Sequence, residues 1–442
     1  MKNLATWIPV ALLLCLVESA LATEPWTFER AIAHAITNSP DARLAQQRIA
    51  AAQAGLRQAQ AAFSPQLQLE SSYRRLNNPM LVFGSILNQR SFGKPPLGAI
   101  DFNDVPDLDD ANVRGLLTVP LYAGGRNTAA RDAAKAHTGA ARQSAEAVRQ
   151  TLAFEVARAF HTVLKTREFI QATEAGVSAF ETNLTIATKR LNAGTLLKAD
   201  VLDVEVRLAQ AREDLVLARN ANALASRVLR NLLGIDQGEF DIAASAAAYP
   251  APESGDFSER PELRASQHRQ RAAEAEVRRA AAGYKPRVSA FGSLDYDYGT
   301  RTGGDGGSYT AGVLLQWDLW DGLLTTARRA EAQANLETTH EEDRKLRLAL
   351  DLELEQARLA LREANERLAV TEKVVAQAGE SVELTRSRFD QGLAIPTQLI
   401  DAETTLLAAR VRRVEAEANQ RIAVAAVRKA LGLAQVEPAT SK

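Results

Sequence analysis

The chain has 442 residues, 53 basic and 54 acidic, so its formal net charge is −1, and 46% of its residues are hydrophobic. This balance contains no clustered basic face of the kind that binds nucleic acid, and no stretch after the N-terminus approaches the roughly 18–20 apolar residues of a membrane-spanning helix. The one cysteine, Cys15, lies in the N-terminal leader, which excludes disulfides and cysteine metal sites from the remainder.

Residues 1–22 read as a secretory signal peptide. Lys2 supplies the positive start, Leu4 to Val17 are mostly apolar, and Ala20-Leu21-Ala22 forms a small-x-small cleavage pattern before Thr23. Leu13-Leu14 precedes Cys15 where a lipidation signal needs a small residue, so no lipid anchor is expected.

Phe28 to Phe63 follows a helical pattern that ends at Pro65, because proline lacks a donor and clashes with the preceding turn. A strand follows, with Leu67, Leu69 and Tyr73 on one face against Gln66, Gln68, Glu70 and Ser72. Asn77–Asn112 reads as a long loop between strands and includes the apolar stretch Met80 to Phe92. The partner strand carries Val113, Leu117, Val119 and Leu121 on one face. Arg126 to about Arg190 contains no proline and reads as one helix, on the order of 100 Å long at ~1.5 Å per residue. After Gly194 a returning helix spaces Leu197, Val201, Val204, Leu208, Ala211, Leu215 and Ala218 by fours and threes, the seam of an antiparallel coiled-coil hairpin. Residues 235–260, with Pro250 and Pro252, form an irregular connector.

The same order then recurs. A helix from Glu262 to Tyr284 ends at Pro286, and a strand over Arg287–Tyr298 sets Val288, Ala290, Leu294, Tyr296 and Tyr298 against Ser289, Ser293, Asp295 and Asp297. Gly303–Gly307 reads as the turn into a second strand, Tyr309–Leu319. A long helix from Leu323 to Arg388 turns at Gly392, and the seam returns as Ile395, Leu399, Ala402, Leu406 and Ala409. Arg190-Leu191-Asn192-Ala193-Gly194 matches Arg388-Phe389-Asp390-Gln391-Gly392 at a displacement of 198 residues, whereas Pro40/Pro261 and Pro65/Pro286 are displaced by 221. The chain therefore reads as a duplicated unit with 23 extra residues between Pro65 and Gly124. Its expected organisation is a first repeat over 23–234, the connector over 235–260, a second repeat over 261–432 and a tail over 433–442.

Strands of about ten residues, apolar on one face, fit either an outer-membrane β-barrel or half-buried soluble hairpins. Four strands are too few to close a barrel, and open edges cannot face lipid. A membrane reading thus requires two or three chains to share one barrel.

The chain resembles the TolC family of outer-membrane efflux channels over nearly all of its mature length. The resemblance rests on Asn38-Ser39-Pro40, the Ser64-Pro65 switch, Pro120-Leu121-Tyr122-Ala123-Gly124-Gly125, the two Arg-x-x-x-Gly tips and the Leu-Gly pair ending each repeat. It implies an α+β membrane protein: a homotrimeric, twelve-stranded barrel in outer-membrane lipid, four strands per chain, continuous with a long periplasmic α-helical barrel of coiled-coil hairpins. The family's partners would be a periplasmic adaptor and an inner-membrane pump of RND or ABC type. Arg190, Leu191 and Gly194, with Arg388, Phe389 and Gly392, match the hairpin tips that meet the adaptor; on its own chemistry each glycine would cap a helix. Asp200 and Asp401 match acids lining the closed periplasmic entrance, with Asp203 nearby. Gln398 stands where the family pattern has a second acid, and Phe389 and Ala394 replace a Tyr and an Arg that lock the entrance. These acids otherwise read as solvated charges.

No enzyme chemistry is legible and no cofactor or metal is expected. His34, His137, His161, His268 and His340 lie without ligand-spaced partners, and His340-Glu341-Glu342 lacks the second histidine of a zinc-protease helix. Asp101, Asp104, Asp107, Asp109 and Asp110 lack calcium-loop spacing. The rival reading is a periplasmic coiled-coil scaffold or adaptor with soluble hairpins, which would have to bury the strands' apolar faces.

Overall fold

The computed structural model describes residues 25–94, 101, 103–236, 240–244, 250, 252 and 254–436. The expected signal peptide, parts of the long loop and connector, and most of the tail lie outside the described residues. The elements run α1 (Phe28–Asn38), α2 (Pro40–Ala61), β1 (Gln66–Leu76), α3 (Pro79–Asn88), β2 (Leu108–Tyr122), α4 (Arg126–Asn192), α5 (Lys198–Leu233), α6 (Pro261–Ala281), β3 (Arg287–Tyr298), β4 (Asp305–Gln316), α7 (Leu324–Asp390) and α8 (Pro396–Ala430). By its contacts the chain divides into two units: Met1–Ala35, Val156–Ala248 and Thr371–Ala418 form one, and Ile36–Glu155, Tyr249–Val370 and Asn419–Lys442 the other.

The first unit is helical. Residues of α4 and α5 cross-link with antiparallel register: Glu181 meets Arg212 and Glu174 meets Arg219, at 2.8 and 2.9 Å. Its core joins Phe180, Ala187, Val201, Val204, Leu208, Ala211 and Ile400, so the expected α5 seam is buried at Val201, Val204, Leu208, Ala211 and Ala218 and half-buried at Leu215. Elsewhere in this unit, Trp26 pairs in parallel with Ile242, and the Arg167 guanidinium holds Asp241 and the Ile242 carbonyl. Part of the expected irregular connector is thereby tied to α4.

The second unit contains all four strands, in one antiparallel sheet of order β1-β2-β3-β4. The expected β3 boundaries match, but three readings need correction. The single helix from Phe28 to Phe63 is two helices, because Ser39 caps α2 (hydroxyl to the Ala42 N–H, 3.2 Å) and Pro40 starts it. The loop between the first strands contains α3, capped by the Asn78 carboxamide ahead of Pro79. The turn read at Gly303–Gly307 lies earlier, with Gly299 and Gly304 bonded and β4 starting at Asp305. That strand ends at Gln316, and the Trp317 indole donates to the Tyr284 carbonyl instead of continuing the ladder.

Alternation holds across the whole sheet. The register puts Leu67 opposite Leu117, Val113 opposite Tyr296, Leu294 opposite Tyr309, and Val288 opposite Leu315. Residues directly opposite share a face, so one continuous apolar face covers all four strands, and all of these side chains except the half-buried Val288 are exposed in the chain. The other face pairs charges across strands, Arg74 with Asp110 and Arg114 with Asp295, and the Asn112 amide donates to Asp297. Pro120 is accommodated where the β2–β3 register slips between Pro120 and Tyr122, since a bulge tolerates a missing donor.

At the end of the connector, Arg260 takes the place that Ser39 holds in the first repeat. Its side chain is only 3% exposed and bridges Glu262 (2.6 Å), Glu353 (3.2 Å) and the Lys429 carbonyl (3.0 Å). Burial alone would raise the Glu262 pKa, but the hydrogen bond and charge of Arg260 outweigh it and hold it below the usual carboxylate range. A depressed carboxylate stabilises the fold above its unfolded pKa, and that contribution is lost as pH falls through the folded value. Arg260→Met is expected to cost about 3 kcal/mol by stranding the Glu262 carboxylate and leaving Glu353 with Lys429 alone, seen as a lowered unfolding midpoint in detergent. The loss should shrink in acid, where the carboxylates protonate.

Candidate functional site

Both hairpin tips in the first unit use one device. The Gly194 N–H bonds the Leu191 carbonyl and the Thr195 N–H the Arg190 carbonyl, both at 2.9 Å. At the second tip Gly392 bonds Phe389 (3.0 Å) and Leu393 bonds Arg388 (2.8 Å). This is a Schellman closure, which needs a left-handed residue; φ is 74° at Gly194 and 75° at Gly392. A Cβ at either glycine would meet nothing within 4 Å, so packing inside the chain does not demand glycine there.

Tip and gate candidates fall into distinct environments. Gly194, Arg388 and Gly392 are exposed. Leu191 packs against the core of the α4–α5 hairpin. Phe389 is 4% exposed, with the Arg190 guanidinium 4.0 Å from its ring centroid and donating to its carbonyl at 3.1 Å. Arg190 and Phe389 thus clasp the two hairpins of one chain to each other. The apolar side chains that the tips do present are Leu197, Leu393 and Ile395, at 72%, 72% and 60% exposure. The sequence pattern put Leu197 and Ile395 in the seam; both precede their helices, where heptad spacing does not govern direction.

Asp200 and Gln398 occupy equivalent places, and the structure gives them one common job. The Asp200 carboxylate accepts the Leu197 N–H at 3.2 Å, and the Gln398 side-chain oxygen accepts the Ile395 N–H at 3.3 Å. Each closes the start of a returning helix, a task that an acid or an amide performs equally. Asp401 is exposed and lies 3.9 Å from the Arg207 guanidinium of α5. Asp203 is exposed on α5.

The pattern missed a buried polar cluster close to these residues. Glu403, 7% exposed, accepts from Asn183 of α4 and pairs with Arg386 of α7 at 2.6 Å. Ile400, Glu403 and Leu407 form a second face of α8, toward α4, where Leu407 lies so close to Gly176 that a Cβ there would stand 2.8 Å from it. The signal was available: an acid at the i+3 place of a stripe otherwise apolar. Among the described residues, no group of three or more His, Cys, Asp or Glu is placed to hold a metal, and no helix is long and apolar enough to cross a membrane.

A family model described as outer membrane efflux protein matches residues 31–235 and 257–433. The alkaline protease secretion protein AprF of Pseudomonas aeruginosa is 25% identical over 283 residues, 59% of this chain and 57% of AprF; the match therefore spans less than two thirds of that relative. The pyoverdine export outer membrane protein OpmQ of Pseudomonas putida is 24% identical over 407 residues, covering 89% of this chain and 83% of OpmQ. Among solved structures, CusC, described in terms of transmembrane channel formation, superimposes with a TM-score of 0.79 at 16% identity, covering 92% of each chain.

Proposed function

Since the chain belongs to the outer membrane efflux protein family, and has the fold of that family's trimeric twelve-stranded barrels with a periplasmic helical portion, we propose that it is the exit duct of a tripartite efflux or type I secretion system. The observation that carries this reading is the sheet. It is apolar on one side, polar on the other and open at both β1 and β4, so it is complete only when strands of neighbouring copies pair with those edges and lipid covers the apolar side. A soluble scaffold would have to hide that face within the protein, and it is exposed instead.

The duct is passive and catalyses no reaction, which is consistent with a family of transport proteins. An inner-membrane pump of RND or ABC type supplies the energy. A periplasmic adaptor docks on the tips, through Gly194, Arg388 and Gly392 together with the apolar rim of Leu197, Leu393 and Ile395. Asp200, Asp203 and Asp401 line the entrance beside Gln398. The Arg190–Phe389 clasp and the Asn183–Glu403–Arg386 cluster hold the two hairpins of a chain together until they part. Leu191 supports the tip from inside.

Cell fractionation tests the reading directly. The protein is expected in the outer-membrane fraction and as a trimer in mild detergent. Recovery as a soluble periplasmic monomer would overturn the duct in favour of the scaffold.

A further inference from the structure

The inserted helix α3 has no task in the duct as so far described. Val82, Ser85, Ile86 and Gln89 of its segment are buried, yet Met80, Leu81 and Leu87 on its other sides are 83%, 53% and 47% exposed. A helix apolar on all sides belongs in an interior, so a further surface must cover these residues.

The strand register decides which side of the sheet α3 occupies. Val82 and Ile86 pack on Leu76 and Leu108, which pair directly and share the polar face with Arg74 and Asp110. The Gln89 amide donates to the Asp110 carboxylate (3.1 Å) and to the Asp109 carbonyl (3.0 Å), and accepts the Thr302 hydroxyl (2.8 Å). The segment then reaches β4. Gly306, opposite Asp297 on the polar face, leaves the room that the Asn88 carbonyl fills, and Gly304 does the same for Ser91. Arg90 turns through a left-handed φ of 52° and donates to the Gly307 carbonyl at 3.3 Å. Anchored at both ends of its course, α3 lies across the polar face at the strand ends remote from α2, α4, α6 and α7.

In a closed barrel lipid takes the apolar face and the polar face encloses the lumen. The uncovered side of α3 therefore looks into the lumen, where, among the described residues, the protein surface that faces it across the axis belongs to the other copies of this chain. We propose that the α3 helices of three chains meet there through Met80, Leu81 and Leu87 and form an apolar constriction that closes the outer mouth. This is a second gate, independent of the hairpin tips. An apolar ring of this kind closes by excluding water and opens when its members separate. The proposal rests on the trimeric-barrel reading.

The test uses Thr310→Cys, on the polar face opposite Ser293 and displaced along β4 from the Gly306 contact, in a chain whose only native cysteine is Cys15 of the leader. Intact cells are treated from outside with a membrane-impermeant maleimide carrying polyethylene glycol. Labelling is expected to be slow in the otherwise native protein and at least about tenfold faster when Met80, Leu81 and Leu87 are all replaced by Ser. In parallel, Leu81→Cys alone is expected to form disulfide-linked pairs of chains under mild oxidation. Equal labelling rates, or no linked pairs from a trimer that runs normally in detergent, would overturn the constriction and leave the duct standing; α3 covered by lipid or by another protein would give that second result. Loss of the trimer from the otherwise native protein would overturn both.

Discussion

Gly392→Trp is expected to reduce export to background while the amount of trimer in the outer membrane stays unchanged. Gly392 closes the second tip with φ 75°, and a Cβ there would touch nothing within 4 Å. An indole at this place projects into solvent. The cost to the chain is the left-handed backbone alone, about 1–2 kcal/mol, small beside the stability of a trimer held by paired edge strands. The cost to docking is larger, since three indoles stand where an adaptor must approach the exposed rim of Leu393 and Ile395. Gly392→Asn separates the two effects: asparagine tolerates the left-handed region and is expected to retain export. Normal export by the Trp variant at normal abundance would rule out docking at the tips.

Val313→Arg is expected to abolish the outer-membrane trimer, whereas Thr310→Arg, three residues away, is expected to leave it in place. Val313 pairs with Ala290 on the apolar face and is 66% exposed in the isolated chain. Thr310 pairs with Ser293 on the polar face. An arginine facing lipid costs up to about 2–4 kcal/mol per chain, most at the bilayer midplane, and the three-fold assembly incurs it three times. The same charge facing the lumen stays hydrated. Detergent electrophoresis of outer membranes reads the difference, and equal trimer levels for the two variants would contradict the assignment of faces.

The long helices and the sheet were legible because each depends on local regularity. Proline is absent from Arg126 to Asn192, so nothing interrupts α4, and the left-handed glycine and its Schellman bonds stop it at Gly194. Strict alternation in Arg287–Tyr298 specified β3 to the residue. The division at Ser39 was legible in principle, through Ser-Pro at a helix start, but the continuing apolar spacing on both sides hid it. The turn after β3 was misplaced because Gly306 and Gly307 suggested flexibility. At Gly306 the need is close approach: the end of α3 lies over it, and the sequence of α3 gave no sign of where it would lie.

Site chemistry divided in the same way. The repeat marked Arg190 and Phe389 as equivalent tip positions, and the family resemblance gave them an adaptor; in the folded chain they also face each other. It contrasted Asp200 with Gln398 as a chemical difference between the repeats, and the structure shows that both first serve as helix-start acceptors. Glu403 escaped notice because its meaning depends on Asn183 and Arg386, 220 and 17 residues away.

The sequence by itself determined the duplication, the lengths of the helices, the glycine tips and the two-sided strands, since periodicity, proline and glycine act through the backbone of a few neighbouring residues. Only the tertiary structure decided which tip residues remain free, which acids are already bonded and which side of the sheet α3 covers. Those outcomes depend on pairing between segments far apart in the chain, where register and burial choose the partner of each side chain.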